Sequence, residues 1–555
     1  FADQQTHQLP EDEAGLLRVA QLMGFGNTAD FLFVLHEHRH QVQNHFEQIL
    51  TAPQADDMPP EETSLLTSTS EEKVSYLAEL GFENPEYVVS DLAGLLDSHA
   101  YRNLGEVEHT RLTKLLPLLV KAAAGVANAD SCLSRLIPFV ESILRRSAYM
   151  SLLVENPLAL SQLIKLCAAS PRISSQLARY PMLLDELLDP RTLYEVPSRG
   201  QQAIKLQQGI ATVDDADLEQ HMYLLREFRQ IASLHVAAAD ITDVLPLMRV
   251  GDQLTELAEV QLEQVLTLAW RHLVGRHGRP PCTDNDDIEQ CGFTVLAYGK
   301  LGGHELGYGS DLDLAFLFDG EKNQGVTDGE RPLEALVFYT RLAQRMIHLL
   351  STVTGGGILY EVDMRLRPNG QSGLLVADVS GFEEYQRQDA WTWEHQALVR
   401  ARCVAGDQGL SQQIQSIRQQ IMAQKRDLTI LAKDVSDMRA KMREQLNKST
   451  AELFDLKQGH GGITDIEFMV QYGALAWSSD WPELLVYTDN IRMLEALKAS
   501  DKLSEHDSNM LAGAYRFYRK LANHCILQET PAVVPIEQVA AYRTQVASIW
   551  QRWFG

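Results

Sequence analysis

One stretch restricts the fold of this chain more than any other: Ala297-Tyr-Gly-Lys-Leu-Gly-Gly-His-Glu-Leu-Gly-Tyr-Gly-Ser-Asp-Leu-Asp-Leu-Ala-Phe-Leu-Phe318. An apolar run, Phe293 to Ala297, leads into Gly299, Gly302, Gly303, Gly307 and Gly309, and a second apolar run follows, opening with Asp311 and Asp313. Short apolar runs bounded by glycine are strand signals, so the pattern predicts strand, glycine-rich turn, strand. Along an extended strand residues i and i+2 share a face, which projects Asp311 and Asp313 together while Leu312 and Leu314 enter the core. Two carboxylates on one face repel unless a cation lies between them. Glycines let backbone N–H groups approach a phosphate closely, and Ser310 adds a hydroxyl. The stretch therefore suits a metal-bound phosphate, whereas an acidic pair on a tight hairpin is the bland alternative.

A second charged segment is Tyr360-Glu-Val-Asp-Met-Arg-Leu-Arg-Pro368. On a strand, Glu361, Asp363, Arg365 and Arg367 would share one face, a costly face to bury without a purpose. It makes sense if Asp363 completes the metal site and the guanidinium forks of Arg365 and Arg367 meet phosphate oxygens. An ion-paired solvent face is the competing explanation. Asn369-Gly370 and Ser372-Gly373 form a turn that could line a nucleotide. Residues 391–402 read as a helix whose Glu394, Arg400 and Arg402 support the ligands or face phosphate, with Trp391 and Trp393 packing the core. In the segment 457–471 a glycine turn precedes a helix start. Either Thr464 or Asp465 caps that helix or the turn holds an anion, and both remain open. No metal-spaced histidines, G-x-S-x-G elbow or P-loop is present, which leaves zinc protease, serine hydrolase and P-loop chemistry unsupported.

At 555 residues the chain is too long for one core, and about three or four domains are expected. β-Branched runs are scarce outside 290–380, so the fold class expected is mostly α with an α+β insert and flanking helical bundles. Strands are predicted at Phe293–Ala297, Asp311–Phe318, Ile358–Met364 and Gly373–Ala377, with a helix from Leu333 to Thr352. The net charge of −26 comes with no Lys/Arg stripe, which argues against nucleic acid as a partner. No apolar stretch reaches the roughly 18–20 residues of a membrane helix, so no membrane association is expected. The scattered cysteines, without a C-x-x-C pair, fit free thiols in a reducing cytoplasm. The first residue is Phe1 rather than Met, consistent with a piece of a longer protein.

The segment from Glu37 to Leu50 echoes Ala541 to Phe554, with Arg39, Gln41 and Val42 matching Arg543, Gln545 and Val546, and Leu9-Pro-Glu11 echoes Leu503-Ser-Glu505. Such an echo is expected if residues 1–50 end an earlier copy of a module whose later copy ends at 555. Residues 51–72, rich in proline, acids and Thr/Ser, read as a linker. Residues 73–215 read as a helical domain broken at Pro157, Pro171, Pro181 and Pro190. The α+β region is placed within 216–420 and a C-terminal helical bundle within 421–555.

Gly299 followed by Asp311-x-Asp313 is similar to the signature of the DNA polymerase β-like nucleotidyltransferase superfamily. Four motifs in order resemble the glutamine synthetase adenylyltransferase family more closely: the 299–314 stretch, Val-Asp-x-Arg-Leu-Arg-Pro, Trp-Thr-Trp-Glu-His-Gln-Ala-Leu, and Gly-Gly-x-x-Asp-Ile-Glu-Phe. The resemblance implies a polymerase β-like core that transfers AMP from ATP, with Mg²⁺, to a tyrosine hydroxyl of glutamine synthetase. It implies Asp311, Asp313 and Asp363 as catalytic and metal residues. Gly299, Lys300, Gly302, Gly303, Gly309, Ser310, Arg365 and Arg367 would meet the nucleotide. In that family the Glu305-Leu-Gly-Tyr308 form marks the half that adds AMP, so residues 1–50 would remain from the half that removes it. The family also implies the PII signal protein as partner and glutamine as effector. The same site run in reverse, removing AMP by phosphorolysis, and a non-catalytic module binding PII are the competing functions.

Overall fold

A computed structural model describes residues 13–35 apart from 24, 30 and 33, residues 68–281, and residues 288–555. The echo segment 37–50, the Leu9–Glu11 motif, most of the linker and Cys282 lie outside the described residues. The chain divides into two compact units, Phe1–Ala169 with Leu177–Asp189, and Ser170–Gln176 with Pro190–Gly555.

In the first unit the described residues are helical. The helix Ser70–Glu79 opens on a capping box: Thr69 accepts from the Glu72 N–H, and the Glu72 carboxylate accepts from the Thr69 N–H at 2.8 Å. The expected linker 51–72 therefore overruns the first turn of a helix. In Glu106–Ala124 the six consecutive residues Leu115 to Val120 are buried together with Leu112 and Ala123, so the middle of this helix is enclosed on all sides. Pro157 and Pro181 each stand first in a helix of this unit, and Pro171 and Pro190 do so in the second, where the missing N–H costs nothing. Among the described residues no single helix is long and apolar enough to cross a membrane; only the pair Ser147–Glu155 and Pro157–Ala169, bent by 101°, passes that test together. Among the described residues the cysteines form no disulfide, and all but Cys403 are buried.

In the second unit, β1 (Phe293–Ala297), β2 (Leu312–Phe318), β3 (Val362–Asp363), β4 (Val376–Asp378) and β5 (Arg402–Gly406) form a sheet of order β3-β2-β1-β5, with β4 also beside β2. β1 runs antiparallel to β2 and β5, whereas β3 and β4 run parallel to β2. β1 is buried along its whole length, its one polar side chain, Thr294, donating to the Ala405 carbonyl at 3.0 Å. Phe293 stacks on Phe316 at 5.7 Å and on Tyr339 of the helix Ala335–Ser351 at 5.8 Å. Leu296, Ala315 and Leu317 join a core shared with the C-terminal helices, including Leu431, Ile466, Leu494 and Trp550. That shared core makes the expected 216–420 and 421–555 domains one body. The helix Gln408–Met422 crosses the expected boundary, and its buried Arg418 donates to the carbonyls of Leu398 and Leu485 at 2.9 and 3.0 Å.

The other expected boundary, at 215, also moves. The helix Arg199–Ile210 packs on the helix Leu247–His277, where Gln202 donates to Gln253 and Arg199 pairs with Glu263 at 2.5 Å. β1, β2 and the 335–351 helix fall where the pattern placed them. The predicted strand Ile358–Met364 shrinks to Val362–Asp363, and Gly373–Ala377 becomes Val376–Asp378. The predicted helix 391–402 stops at Val399, and Arg402 opens β5, whose pairing with β1 overrides the local pattern. The antiparallel pair β6 (Leu453–Asp455) and β7 (Val533–Pro535) was not apparent from the sequence.

Candidate active site

The parallel register of β2 and β3 sets Asp313 beside Asp363. Asp311 precedes β2 by one residue, and the Leu312 N–H donates to the Glu361 carbonyl at 2.9 Å, which fastens this corner of the sheet. The three carboxylates converge: each offers an oxygen within 4.8 Å of the others, the one such group of acidic, His or Cys side chains among the described residues. Burial, then the charges of Asp311 and Asp363, push the Asp313 carboxyl up to about 6. Hydrogen bonds from Arg365 instead hold Asp363 below the usual carboxylate range. An all-oxygen, like-charged donor set of this kind fits a hard divalent cation.

Gly299 begins the turn with φ +57°, and a Cβ there would lie 2.3 Å from the Asp313 carboxylate. Only glycine leaves that carboxylate its place. Other glycines of the motif serve differently. A Cβ on Gly302 would lie 2.0 Å from the Arg400 carbonyl, and one on Gly303 2.2 Å from the Arg400 guanidinium. Gly302 and Gly303 thus let the turn pack on Arg400. Ser310 accepts from the Gly307 N–H at 3.1 Å and closes its own turn, while Gly309, with φ +69°, faces Arg172. Tyr308 is buried and donates to Asp240 at 2.9 Å, away from the carboxylates.

A cavity of about 590 Å³ opens on Asp311, Asp313 and Asp363. Gly299, Lys300 and Arg365 line it as expected, whereas Gly302, Gly303, Gly309, Ser310 and Arg367 do not. Arg400 lines it as well, and two more cations, Lys457 and Arg519, come from the C-terminal region. Met438, Met442, Ile463 and Phe468 give it an apolar wall. Lys300 is open to the cavity's solvent, yet surrounding protein, then Lys457 and Arg519, bring its ammonium down to about 8. Volume, cations and apolar wall together suit a nucleotide. Lys457 was within reach of sequence reasoning, since it stands two residues before the glycine turn that starts at Gly459. Arg519 carried no signal, lying inside an ordinary amphipathic helix.

The two arginines of the 360–368 motif part company because β3 ends at Asp363. Arg365 lines the cavity while folding back onto the Asp363 carboxylate, Nε donating at 2.7 Å. Arg367 donates to the carbonyls of Met364 at 2.8 Å, Gln371 at 3.1 Å and Gly373 at 3.4 Å, and so shapes the following turn. Asn369 at φ 60° and Gly370 at φ 55° complete that turn, away from the cavity.

A largely buried ionic cluster also lines the cavity. Arg400 pairs with Glu305 and, at 3.0 Å, with Glu467. Glu305 also accepts from Tyr515 at 2.7 Å and from the Asn490 N–H at 3.0 Å. Burial pushes the Glu305 carboxyl up, but Arg400, Arg519 and these hydrogen bonds outweigh it and hold it below the usual range. Glu394 caps its own helix at Trp391 and accepts from Tyr385 at 2.8 Å, and Arg402 pairs with Glu259. Trp393 lines the cavity and Trp391 is exposed, so neither packs the core as expected. Asp465 settles the other open question. It is fully buried, pairs with Arg439 at 2.6 Å and Arg443 at 2.9 Å, and accepts from the Gly461 N–H at 2.7 Å. The glycine turn is thus occupied by the protein's own carboxylate.

A family model for glutamate-ammonia ligase adenylyltransferase matches residues 160–417, and one for GlnD PII-uridylyltransferase matches residues 1–50 and 436–530. The chain is 49% identical to the bifunctional glutamine synthetase adenylyltransferase/adenylyl-removing enzyme of Nitrosococcus oceani, over 99% of its own length and 58% of the relative's. The enzymes of that name from Thioalkalivibrio sulfidiphilus and Pseudomonas putida are 47% and 44% identical, with the same 99% and 58% coverage. The chain thus spans a little over half the length of these relatives. It belongs to the glutamine synthetase adenylyltransferase family.

Proposed function

We propose that this chain transfers AMP from ATP to a tyrosine hydroxyl of glutamine synthetase, releasing pyrophosphate and restraining nitrogen assimilation in the cytoplasm. One observation carries the proposal: a nucleotide-sized cavity sets three converging carboxylates against Lys300, Lys457 and Arg519, beside an apolar wall. Asp311, Asp313 and Asp363 would hold Mg²⁺, which when bound neutralises phosphate charge and polarises the phosphorus centre. Lys300, Lys457 and Arg519 bind the β- and γ-phosphates, and Met438, Met442, Ile463 and Phe468 receive the base. The acceptor phenol, with a pKa near about 10, needs help to lose its proton. Its oxygen forms a bond to the α-phosphorus as the bond to the bridging oxygen breaks, and that electron pair leaves with pyrophosphate. The phenol proton passes to Asp363. Arg365 moves from Asp363 to the departing pyrophosphate, which frees Asp363 from the neighbour that keeps it a weak base. PII and glutamine act as regulators, and the match of residues 1–50 and 436–530 to the PII-uridylyltransferase model supports the PII part of that role.

Incubation with α-labelled ATP and unmodified glutamine synthetase is expected to label the synthetase. No label, together with ADP formed from adenylylated synthetase and phosphate, would assign the site to AMP removal instead. A pH dependence follows from Lys300. Its ammonium is charged below about 8 in the free protein, and a triphosphate binds the charged form. kcat/KM for ATP is therefore expected to fall as pH rises through about 8, and Lys300→Arg is expected to carry the plateau higher. Coincident profiles for the two proteins would remove Lys300 from the phosphate site.

A further inference from the structure

A second, more open and mostly polar depression of about 460 Å³ adjoins the same carboxylates. Asp311, Asp363 and Arg365 line both hollows, and Glu361, Arg367 and Gln371 belong to the second alone. We propose that this depression is the docking groove for the acceptor: an extended, tyrosine-bearing segment of the protein substrate. The proposal rests on the AMP-transfer reading above and adds where the acceptor enters.

Three features lead there. In-line displacement puts the forming and breaking bonds on opposite sides of the phosphorus. The first cavity holds the cations suited to the triphosphate tail, so the attacking oxygen needs a different approach to Asp311 and Asp363, and the second hollow is one that reaches both. Its chemistry also fits a peptide. Glu361 is exposed and its carboxylate has no partner among the described residues, so it can accept from peptide N–H groups, while the exposed Gln371 amide can both donate and accept. Finally, the floor is built in advance. The Arg367 guanidinium ties the carbonyls of Met364, Gln371 and Gly373 together, so docking does not have to order this turn. In the step itself the phenol oxygen enters from this groove and bonds to the α-phosphorus. The bond from that phosphorus to the bridging oxygen breaks toward the first cavity, its electron pair leaving on pyrophosphate, and the phenol proton moves to Asp363, which faces both sides.

The test uses Glu361→Arg and Gln371→Ala in the full chain, both at exposed positions. KM for glutamine synthetase is expected to rise about tenfold in Glu361→Arg and severalfold in Gln371→Ala, with KM for ATP within about twofold of the unmodified protein. Hydrogen exchange gives a readout independent of turnover: glutamine synthetase is expected to slow amides in 361–373, and Mg·ATP alone to slow those in 457–463. Unchanged KM for the synthetase in both variants, or no protection of 361–373, overturns the groove while AMP transfer by the unmodified chain stands. If the unmodified chain labels no synthetase, the functional reading falls and the groove falls with it.

Discussion

Asp313→Asn is expected to lower AMP transfer at least about a thousandfold, the scale seen when a key electrostatic group is removed from a reacting centre. The metal-free protein is expected to become more stable at the same time. Asp313 sits among Asp311 and Asp363 in a partly buried corner, and its carboxyl is pushed up to about 6. A carboxyl raised in the folded state contributes stability while protonated and loses it as pH climbs from the unfolded value, about 4, through the folded one. At pH 7.5 the native carboxylate is therefore a liability that the neutral amide removes. The gain in urea midpoint is expected to be complete above about 6 and to vanish near pH 4. Labelled AMP transfer and urea titrations at both pH values check the two halves. Loss of both activity and stability would make Asp313 a structural residue instead. Asp311→Asn is expected to show the same loss of transfer with the fold intact.

The largest stability effect is expected from Arg400→Met. Arg400 is 4% exposed and Glu305 1%, so solvent gives neither charge relief. Removing one partner of a buried pair typically costs roughly 3–5 kcal/mol, because the other charge is left uncompensated. Here two carboxylates, Glu305 and Glu467, would lose the shared guanidinium. Glu305→Gln in the same chain is expected to recover part of the loss by removing the stranded charge. Urea denaturation of the single and double variants measures both, and a shift below about 1 kcal/mol for Arg400→Met would show the cluster to be dispensable. Activity is expected to fall as well, since Gly302 and Gly303 pack on Arg400 and Gly299 in the same turn seats Asp313.

How far the sequence reached can be judged from these same residues. The strand–turn–strand of 293–318 and the pairing of Asp311 with Asp313 follow from periods of two and from glycine spacing, all within some twenty residues. Asp363 was found because a fully charged strand face beside a core calls for a function. Arg365 lines the cavity but Arg367 does not, because the strand that would have put them on one face ends at Asp363. A short charged segment does not carry the information to say where pairing with β2 stops.

Local chemistry was therefore written into the chain. It contains a helix-rich body, one α+β insert, a turn only glycine can make beneath a carboxylate, and an acidic trio that suits a divalent cation. Which groups face one another was settled by packing at long range. Gly302 and Gly303 have the same local credentials as Gly299, yet they meet Arg400, some hundred residues away, while Gly299 meets Asp313. Lys457 and Arg519 became part of the cavity only because the C-terminal helices share a core with the sheet. Strand period and glycine φ depend on a few adjacent residues. The far wall of a cavity depends on how whole helices dock, and no short stretch of sequence encodes that.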